Sequence, residues 1–390
     1  MNTAIIGTSR KENEKRVAIH PKQIKSIPEA VRKQLFFEKG YGVPFGVPDE
    51  TITALTGNRT LERSVLFKNF HAFIIPKPVE EDFNEMDAGS IIWGWIHAVQ
   101  QTKIAQIAID KKMTFVAWEN MYYKGTRNRV HIFQKNNEMA GYCGVQNALQ
   151  IRGIDGNFGE QRKVFVIGFG SASRGAVYAL KGHGFNDITV LTNRPSYLVS
   201  DRFPGVKYKH FSINAAGNYE VENNNAAPEP MADVLAQADI IVNGVLQDPT
   251  DPAVFIRESD IGKFAKECLI IDISCDAGMG FSFAHPTDTE NPVFKLGNII
   301  YYSLDHTPTL LWDSSTWEIS SSLLPFLTEF VEGGENEVLN DAVDIKNGII
   351  LNKEILKFQH RSPIYPYNQM EKEVNFNSLY PENVMLRRSL

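Results

Sequence analysis

The chain has 390 residues, 43% of them apolar, enough for two packed cores and by length alone for two domains. Formal net charge is -6, with 40 Lys and Arg interspersed among 46 Asp and Glu, so no strong field invites nucleic acid or an anionic membrane. Cys143, Cys268 and Cys275 are odd in number and lie in apolar settings, which argues against a disulfide framework and suits reduced thiols.

No apolar run approaches the roughly 18 residues of a membrane span, and the first residues lack an apolar signal core. The expectation is a soluble cytoplasmic protein with small-molecule partners. From the N-terminus, TAIIG, QLFFEKG, HAFIIPK, SIIWGWIH and MTFVAWEN read as strands. They are apolar throughout rather than alternating, as strands of a parallel sheet buried on both faces are. PKQIKSIPEAVRK and QQTKIAQIAIDKK, between them, carry apolar residues near helical spacing. A βα alternation of this kind predicts a doubly wound α/β unit.

NEMAGYCGVQNALQIRG predicts a connecting helix whose Ala140, Gly141, Cys143 and Gly144 let it pack closely. A second βα series follows, with RKVFVIG, DITVLTN, ADIIVNGV, CLIIDIS and NIIYYSL as strands. Residues 204 to 230 lack periodicity and predict an exposed excursion. SSTWEISSSLLPFLTEFVEG predicts a long helix crossing back to the first unit, NGIILNKEIL a hairpin or a strand, and EKEVNFNSLYPENVMLRRSL an extended tail. The fold class is therefore α/β, with two Rossmann-like doubly wound parallel-sheet domains and a cleft between them. The first domain is discontinuous, residues 1–135 plus 315–390, and the second, Rossmann-like domain is 136–314.

In VFVIGFGSASRGAVYAL, Gly168 and Gly170 end a strand and open a helix, with Ser173 in the place of a third glycine. The turn at Gly168 and the absent side chain at Gly170 allow backbone N–H groups of the loop, through Ser171 and Ala172, to approach a pyrophosphate at the helix N-terminus. An ordinary glycine-rich turn has the same local pattern, but a strand before, a helix after and a second strand about 20 residues on favour a dinucleotide. FAD is the lesser alternative. The second strand ends at Thr192, Asn193 and Arg194 with no carboxylate for the ribose diol, which favours NADPH over NADH.

Three polar groups stand at the ends of apolar first-domain strands. Arg16 follows the first, Lys77 ends HAFIIPK and His97 ends SIIWGWIH. Carboxyl ends of parallel strands form the ligand crevice, Arg offers a fork for a carboxylate, and His titrates near neutrality. Such a set suits an α-keto acid whose carboxylate is held while its reacting centre is protonated. The bland alternatives are a solvated charge for Arg16, a snorkelling Lys77 and a helix cap for His97, with Trp93 and Trp95 as packing. Asp276, beyond the strand in LIIDISCDAG, is the acid candidate expected to face Lys77, His97 and the nicotinamide, while Asp272 lies inside the strand as a structural residue.

These residues resemble the alanine dehydrogenase family, which also holds the transhydrogenase subunit and lysine-forming saccharopine dehydrogenases. NEKRVAIHP, IIPKP, WIH and LIIDISCDAG are similar to its N-terminal motif, substrate Lys, catalytic His and catalytic-site Asp segments. GWIH, MAGYCGVQNAL, GFGSASRGA, DIIVNGV and LDHTPTLLW look closer to its carboxyethylornithine synthase branch over about the first 330 residues. The resemblance implies NADPH-dependent reductive condensation of a keto acid such as pyruvate or glyoxylate with the side-chain amine of ornithine or lysine. It also implies catalytic roles for His97, Lys77 and Asp276, and substrate contacts from Arg16 and Lys77. Cofactor contacts would come from Gly168, Gly170, Ser171, Ala172, Ser173, Asn193, Arg194, Asn243, Gly244, Val245, Asp276 and His306. His306 stands where that branch carries Asn, no metal is implied, and the family suggests a homo-oligomer. Alternatives are an alanine dehydrogenase-like or saccharopine dehydrogenase-like enzyme and a catalytically silent NADP-binding regulator.

Overall fold

The computed structural model describes residues 1–124, 129–223, 226–247 and 252–370, so the expected tail at 371–390 lies outside the described residues. Two compact units divide the chain, Met1–Ile132 with Ile319–Leu390, and Phe133–Glu318.

The first unit is built on five parallel strands, β1 (Thr3–Ile5), β2 (Leu35–Phe37), β3 (Ala72–Ile74), β4 (Ile91–Gly94) and β5 (Thr114–Ala117). They lie in the order β2-β1-β3-β4-β5. Strands Val343–Lys346 and Ile349–Ile350 extend the sheet antiparallel beyond β5. Ala4, Phe73, Ile92 and Phe115 are buried on one face of the sheet and Ile5, Ile74, Trp93 and Val116 on the other, which explains why these segments are apolar throughout. The order reverses between β1 and β3, and at such a switch point the loops leave a crevice at the carboxyl ends. Gly94 separates Trp93 and Trp95 for a steric reason, because a Cβ there would lie 2.0 Å from the Ile75 carbonyl oxygen.

Proline at 28 divides the first predicted helix into a 3-10 turn, Pro21–Ser26, and a short helix, Glu29–Arg32. The second forms at Thr102–Asp110 and buries Ile104, Ala105, Ala108 and Ile109 on one face. Helices at Asp49–Thr56, Arg63–Asn69 and Glu80–Glu85 have no counterpart in the sequence reading. NGIILNKEIL resolves into the second hairpin strand and a helix, Lys353–Phe358, capped by the Asn352 side chain on the Glu354 N–H.

In the second unit six parallel strands form the middle of a nine-stranded sheet. In spatial order they are Lys207–Ile213, Asp187–Thr192, Lys163–Ile167, Ile240–Asn243, Cys268–Asp272 and Ile299–Tyr302. Residues 204 to 230 depart from expectation, since Lys207–Ile213, Tyr219–Val221 and Glu229–Pro230 are strands at one side of this sheet. Lys207, Lys209 and Ser212 are exposed while Phe211 is buried, so the segment is mostly solvated and lacks the apolar run by which the inner strands are recognised.

The connecting helix Gln134–Arg152 crosses the glycine-loop helix Ser171–Gly182 at backbone contact. A Cβ on Gly141 would sit 1.8 Å from the Ala172 oxygen, and one on Gly175 1.8 Å from the Glu138 oxygen. Helix Trp312–Glu332 has its residues up to Glu318 in the second unit and those from Ile319 in the first. Among the described residues no helix is long and apolar enough to cross a membrane.

Candidate active site

The loop after β1 is anchored before it reaches Arg16. Glu38 accepts hydrogen bonds from the Gly7 and Thr8 N–H groups at 2.7 and 2.8 Å, and Arg63 bridges the Thr8 carbonyl to the fully buried Asp82. Arg10 meets the same Asp82 at 2.8 Å. Arg16 itself is 3% exposed, its Nε donating to Glu14 Oε1 at 2.7 Å and its Nη2 to Oε2 at 2.5 Å. Its guanidinium also lies 5.0 Å from the Trp95 ring centroid. Burial alone would raise the Glu14 carboxyl, but Arg16 and then Lys77 outweigh it and hold it below the usual range. Arg16 is thus no solvated surface charge, and Trp95 carries the guanidinium besides packing against Trp118.

Lys77 follows β3, where the Trp95 N–H donates to the Pro76 carbonyl at 2.9 Å and Ser9 Oγ donates to the Lys77 carbonyl at 3.3 Å. His97 follows β4 in the left-handed region, with φ 52°. Its N–H donates to Glu119 Oε1 at 2.5 Å, and its carbonyl accepts from the Gln100 and Gln101 N–H groups at 3.1 Å. The backbone of His97 therefore closes the turn that precedes the helix Thr102–Asp110. Lys77 and His97 lie just beyond β3 and β4 and Arg16 in the loop that follows β1, three strands that are neighbours in the sheet.

Two acids lie under this turn. Glu119, at the end of β5, is half-buried as a residue with an enclosed carboxyl; enclosure pushes it up, against the Ile96 and His97 N–H groups and Lys77. Asp344, 2% exposed on the late strand Val343–Lys346, is pushed up by burial and by the Glu119 charge. Its Oδ1 accepts from Asn120 at 2.8 Å and Asn352 at 2.9 Å. The C-terminal segment braces the same turn. Gln359 Nε2 donates to the Ala98 and Val99 carbonyls at 2.7 and 3.0 Å, and the buried Arg361 donates to Gln359, Gln106 and the Thr102 carbonyl.

In the second unit the Gly168 N–H still donates to the Leu191 carbonyl of the neighbouring strand at 2.7 Å, and its φ of 83° starts the tight turn. Nothing lies within 4 Å of the Cβ direction of Gly170, so a cradle stands open at the helix N-terminus, and the loop fits a pyrophosphate. Ser171 and Ala172 open that helix half-buried. Ser173 is fully buried, its Oγ donating to the Ile167 carbonyl at 3.1 Å, and a Cβ on Gly244 would meet that Oγ at 2.5 Å. Asn243 donates to Asp272 Oδ1 at 2.9 Å while its Oδ1 accepts from the Val245 N–H at 3.3 Å. The Ser173 and Asn243 side chains are thus engaged inside the fold.

Asp272 also accepts from the Tyr301 hydroxyl, and burial pushes its carboxyl up to about 6. Asp276 is exposed on the loop beyond, as are Asn193 and Arg194 after the second strand. His306 has φ 45°, with Nδ1 3.1 Å from Asp305 Oδ2. No cluster of three or more His, Cys, Asp or Glu suited to a metal ion occurs among the described residues.

A glycine loop of this build on a six-stranded parallel core is the architecture of a dinucleotide-binding domain. Comparison with known proteins makes the assignment more specific. The alanine dehydrogenase/PNT N-terminal domain matches residues 6–140 and the alanine dehydrogenase/PNT C-terminal domain residues 149–357, and the chain belongs to this family. It is 22% identical to an alanine dehydrogenase of Methanococcus maripaludis, over 94% of this chain and 97% of that protein. It is 25% identical to an N(5)-(carboxyethyl)ornithine synthase of Clostridium botulinum, over 80% of this chain and 89% of that protein. Among solved structures it shares the fold of an L-alanine dehydrogenase, with TM-score 0.73 and 17% identity over 92% of this chain and 99% of that one. A transhydrogenase from Sinorhizobium meliloti follows, with TM-score 0.67 and 16% identity over 90% of this chain and 98% of that one.

Glu14, Glu119 and Asp344 were not singled out from sequence. Glu119 did carry a signal, an acid directly after an apolar strand, the pattern that marked Lys77 and His97. Glu14 is hidden in a charged run, and Asp344 meets its partners only through a strand added from the far end of the chain.

Proposed function

We propose that the protein catalyses NADPH-dependent reductive condensation of an α-keto acid, pyruvate or glyoxylate in class, with the side-chain amine of ornithine or lysine. The reading is supported by the cationic and proton-transferring groups in the segments that follow β1, β3 and β4, together with the similarity to the carboxyethylornithine synthase. Lys77 holds the keto-acid carboxylate, with Arg16 as a weaker partner because Glu14 already answers its charge. The amine adds to the ketone, and His97 supplies the proton with which the carbinolamine loses water to leave a protonated imine. When bound, NADPH supplies the hydride that reduces that imine to a secondary amine. Asp276 orients groups near the nicotinamide ribose, and the loop at 168 to 173 holds the pyrophosphate. The strand end at Thr192 to Arg194, without a carboxylate, supports NADPH over NADH.

A second reading, an alanine dehydrogenase in which ammonia replaces the amine, is supported by similarity that spans more of the chain. Oxidation of NADPH with pyruvate plus ornithine, lysine or ammonia separates the two, with products identified by mass spectrometry. Turnover with ornithine or lysine is expected; turnover with ammonia alone makes the second reading correct. Tight NADPH binding without turnover for any pair would indicate a silent regulator.

A further inference from the structure

A cavity of about 260 Å³ lies in the second unit where the second strand of the sheet ends, and Thr192, Arg174, Arg194, Ser200, Asp201 and Glu138 are among its lining residues. Arg174 belongs to the glycine-loop helix and had no role in the sequence reading. Its guanidinium lies 4.8 Å from the Phe169 ring centroid and 5.4 Å from that of Phe203, and Nη1 donates to the Asp201 carbonyl at 3.1 Å. All three of these partners are neutral. The charge is therefore held in place without being cancelled by them, so binding an anion costs little further side-chain ordering.

The loop that closes the cavity is fastened in the same manner. Arg202 lies 5.2 Å from the Tyr208 ring centroid and donates to the Ser196 and Val199 carbonyls. Arg194 is exposed, and its N–H donates to Thr192 Oγ1 at 3.2 Å. Of the two acids, Glu138 is paired with Lys135 at 2.8 Å. Two guanidiniums on one small cavity match the planar, multiply charged face of a phosphate.

We propose that this cavity receives a ribose-borne phosphomonoester and that Arg174, with Arg194 as second donor, discriminates that phosphate from a free ribose hydroxyl. The proposal rests on the NADPH reading and adds to it the specificity-determining residue. The competing occupant is a ribose diol accepted by the Asp201 carboxylate.

Calorimetric titration with adenosine 2′,5′-bisphosphate and with adenosine 5′-monophosphate tests it without turnover. The wild type should bind the bisphosphate at least about tenfold more tightly, and Arg174→Gln should lose about ten- to a hundredfold of that affinity while binding the monophosphate unchanged. Equal binding of the two probes by the wild type would overturn the NADPH reading, and with it the proposal. Discrimination that survives Arg174→Gln would overturn the role of Arg174 alone. Equal loss for both probes would reduce Arg174 to a fastening for the loop, and a monophosphate loss confined to Asp201→Asn would assign the cavity to a diol. Should Arg174→Gln fail to fold, Arg174→Lys replaces it, since a point charge without the fork must also bind the bisphosphate more weakly.

Discussion

At the scale of single residues, His97 is the group whose assignment the structure sharpens most. Its backbone is engaged on both sides, by Glu119 at the N–H and by Gln100 and Gln101 at the carbonyl. A side-chain truncation leaves those bonds in place. His97→Ala should retain NADPH affinity and lose about a hundredfold or more of kcat, read by cofactor titration and steady-state kinetics; unchanged kcat would return His97 to packing. Glu119 and Asp344 govern stability in a different way. Burial holds both carboxyls above the roughly 4 at which they titrate when unfolded. As pH rises from about 4 through 7 the unfolded chain gives up those protons first, so stability contributed by the pair falls over that window. Asp344→Asn keeps the oxygen that Asn120 and Asn352 need. It should flatten the decline, measured as urea midpoints at pH 5 and 8, and an undiminished slope would refute the assignment.

At the scale of elements, close approach of backbones decides which glycines are replaceable. Gly94→Ala forces apart β3 and β4, and should destabilise the protein by about 3 kcal/mol in chemical unfolding. Gly182→Ala, whose Cβ meets nothing within 4 Å, serves as the control and should be neutral or slightly stabilising; equal effects would contradict the packing argument. Each apolar run singled out from sequence folds as a strand, because a parallel strand buried on both faces leaves an unbroken apolar record. Close packing of the connecting helix was equally legible, through Gly141, although its partner, the glycine-loop helix, was not. What escaped reading has weaker local marks. Helix Glu80–Glu85 is nearly all polar and held by Asp82, and strand Lys207–Ile213 is mostly solvated. The strand ends bearing Lys77 and His97 could be read, and Glu119 carried the same mark after its own strand; Asp344 and Gln359 could not be read, since they reach the turn only through tertiary structure.

At the scale of the whole molecule, each unit has its own buried cluster, one around Phe73, Ile92 and Phe115 and others around Ile241, Ile270 and Val166. A ligand of the glycine loop at 100 times its Kd adds about 2.7 kcal/mol to whatever it binds. Hydrogen exchange with NADPH should therefore show new protection concentrated within 133–318, and protection spread evenly over the chain would mean that the two units open as one. The antiparallel pairing of Val343–Lys346 with β5 has a further consequence, for the order of synthesis. The inner unit is a continuous stretch, complete once residue 318 has been translated, whereas the sheet begun by the first residues waits for a strand about 25 residues later and for Arg361 after that. On the ribosome the segment made second is the first that can finish folding, and the chain's opening residues must wait for its end.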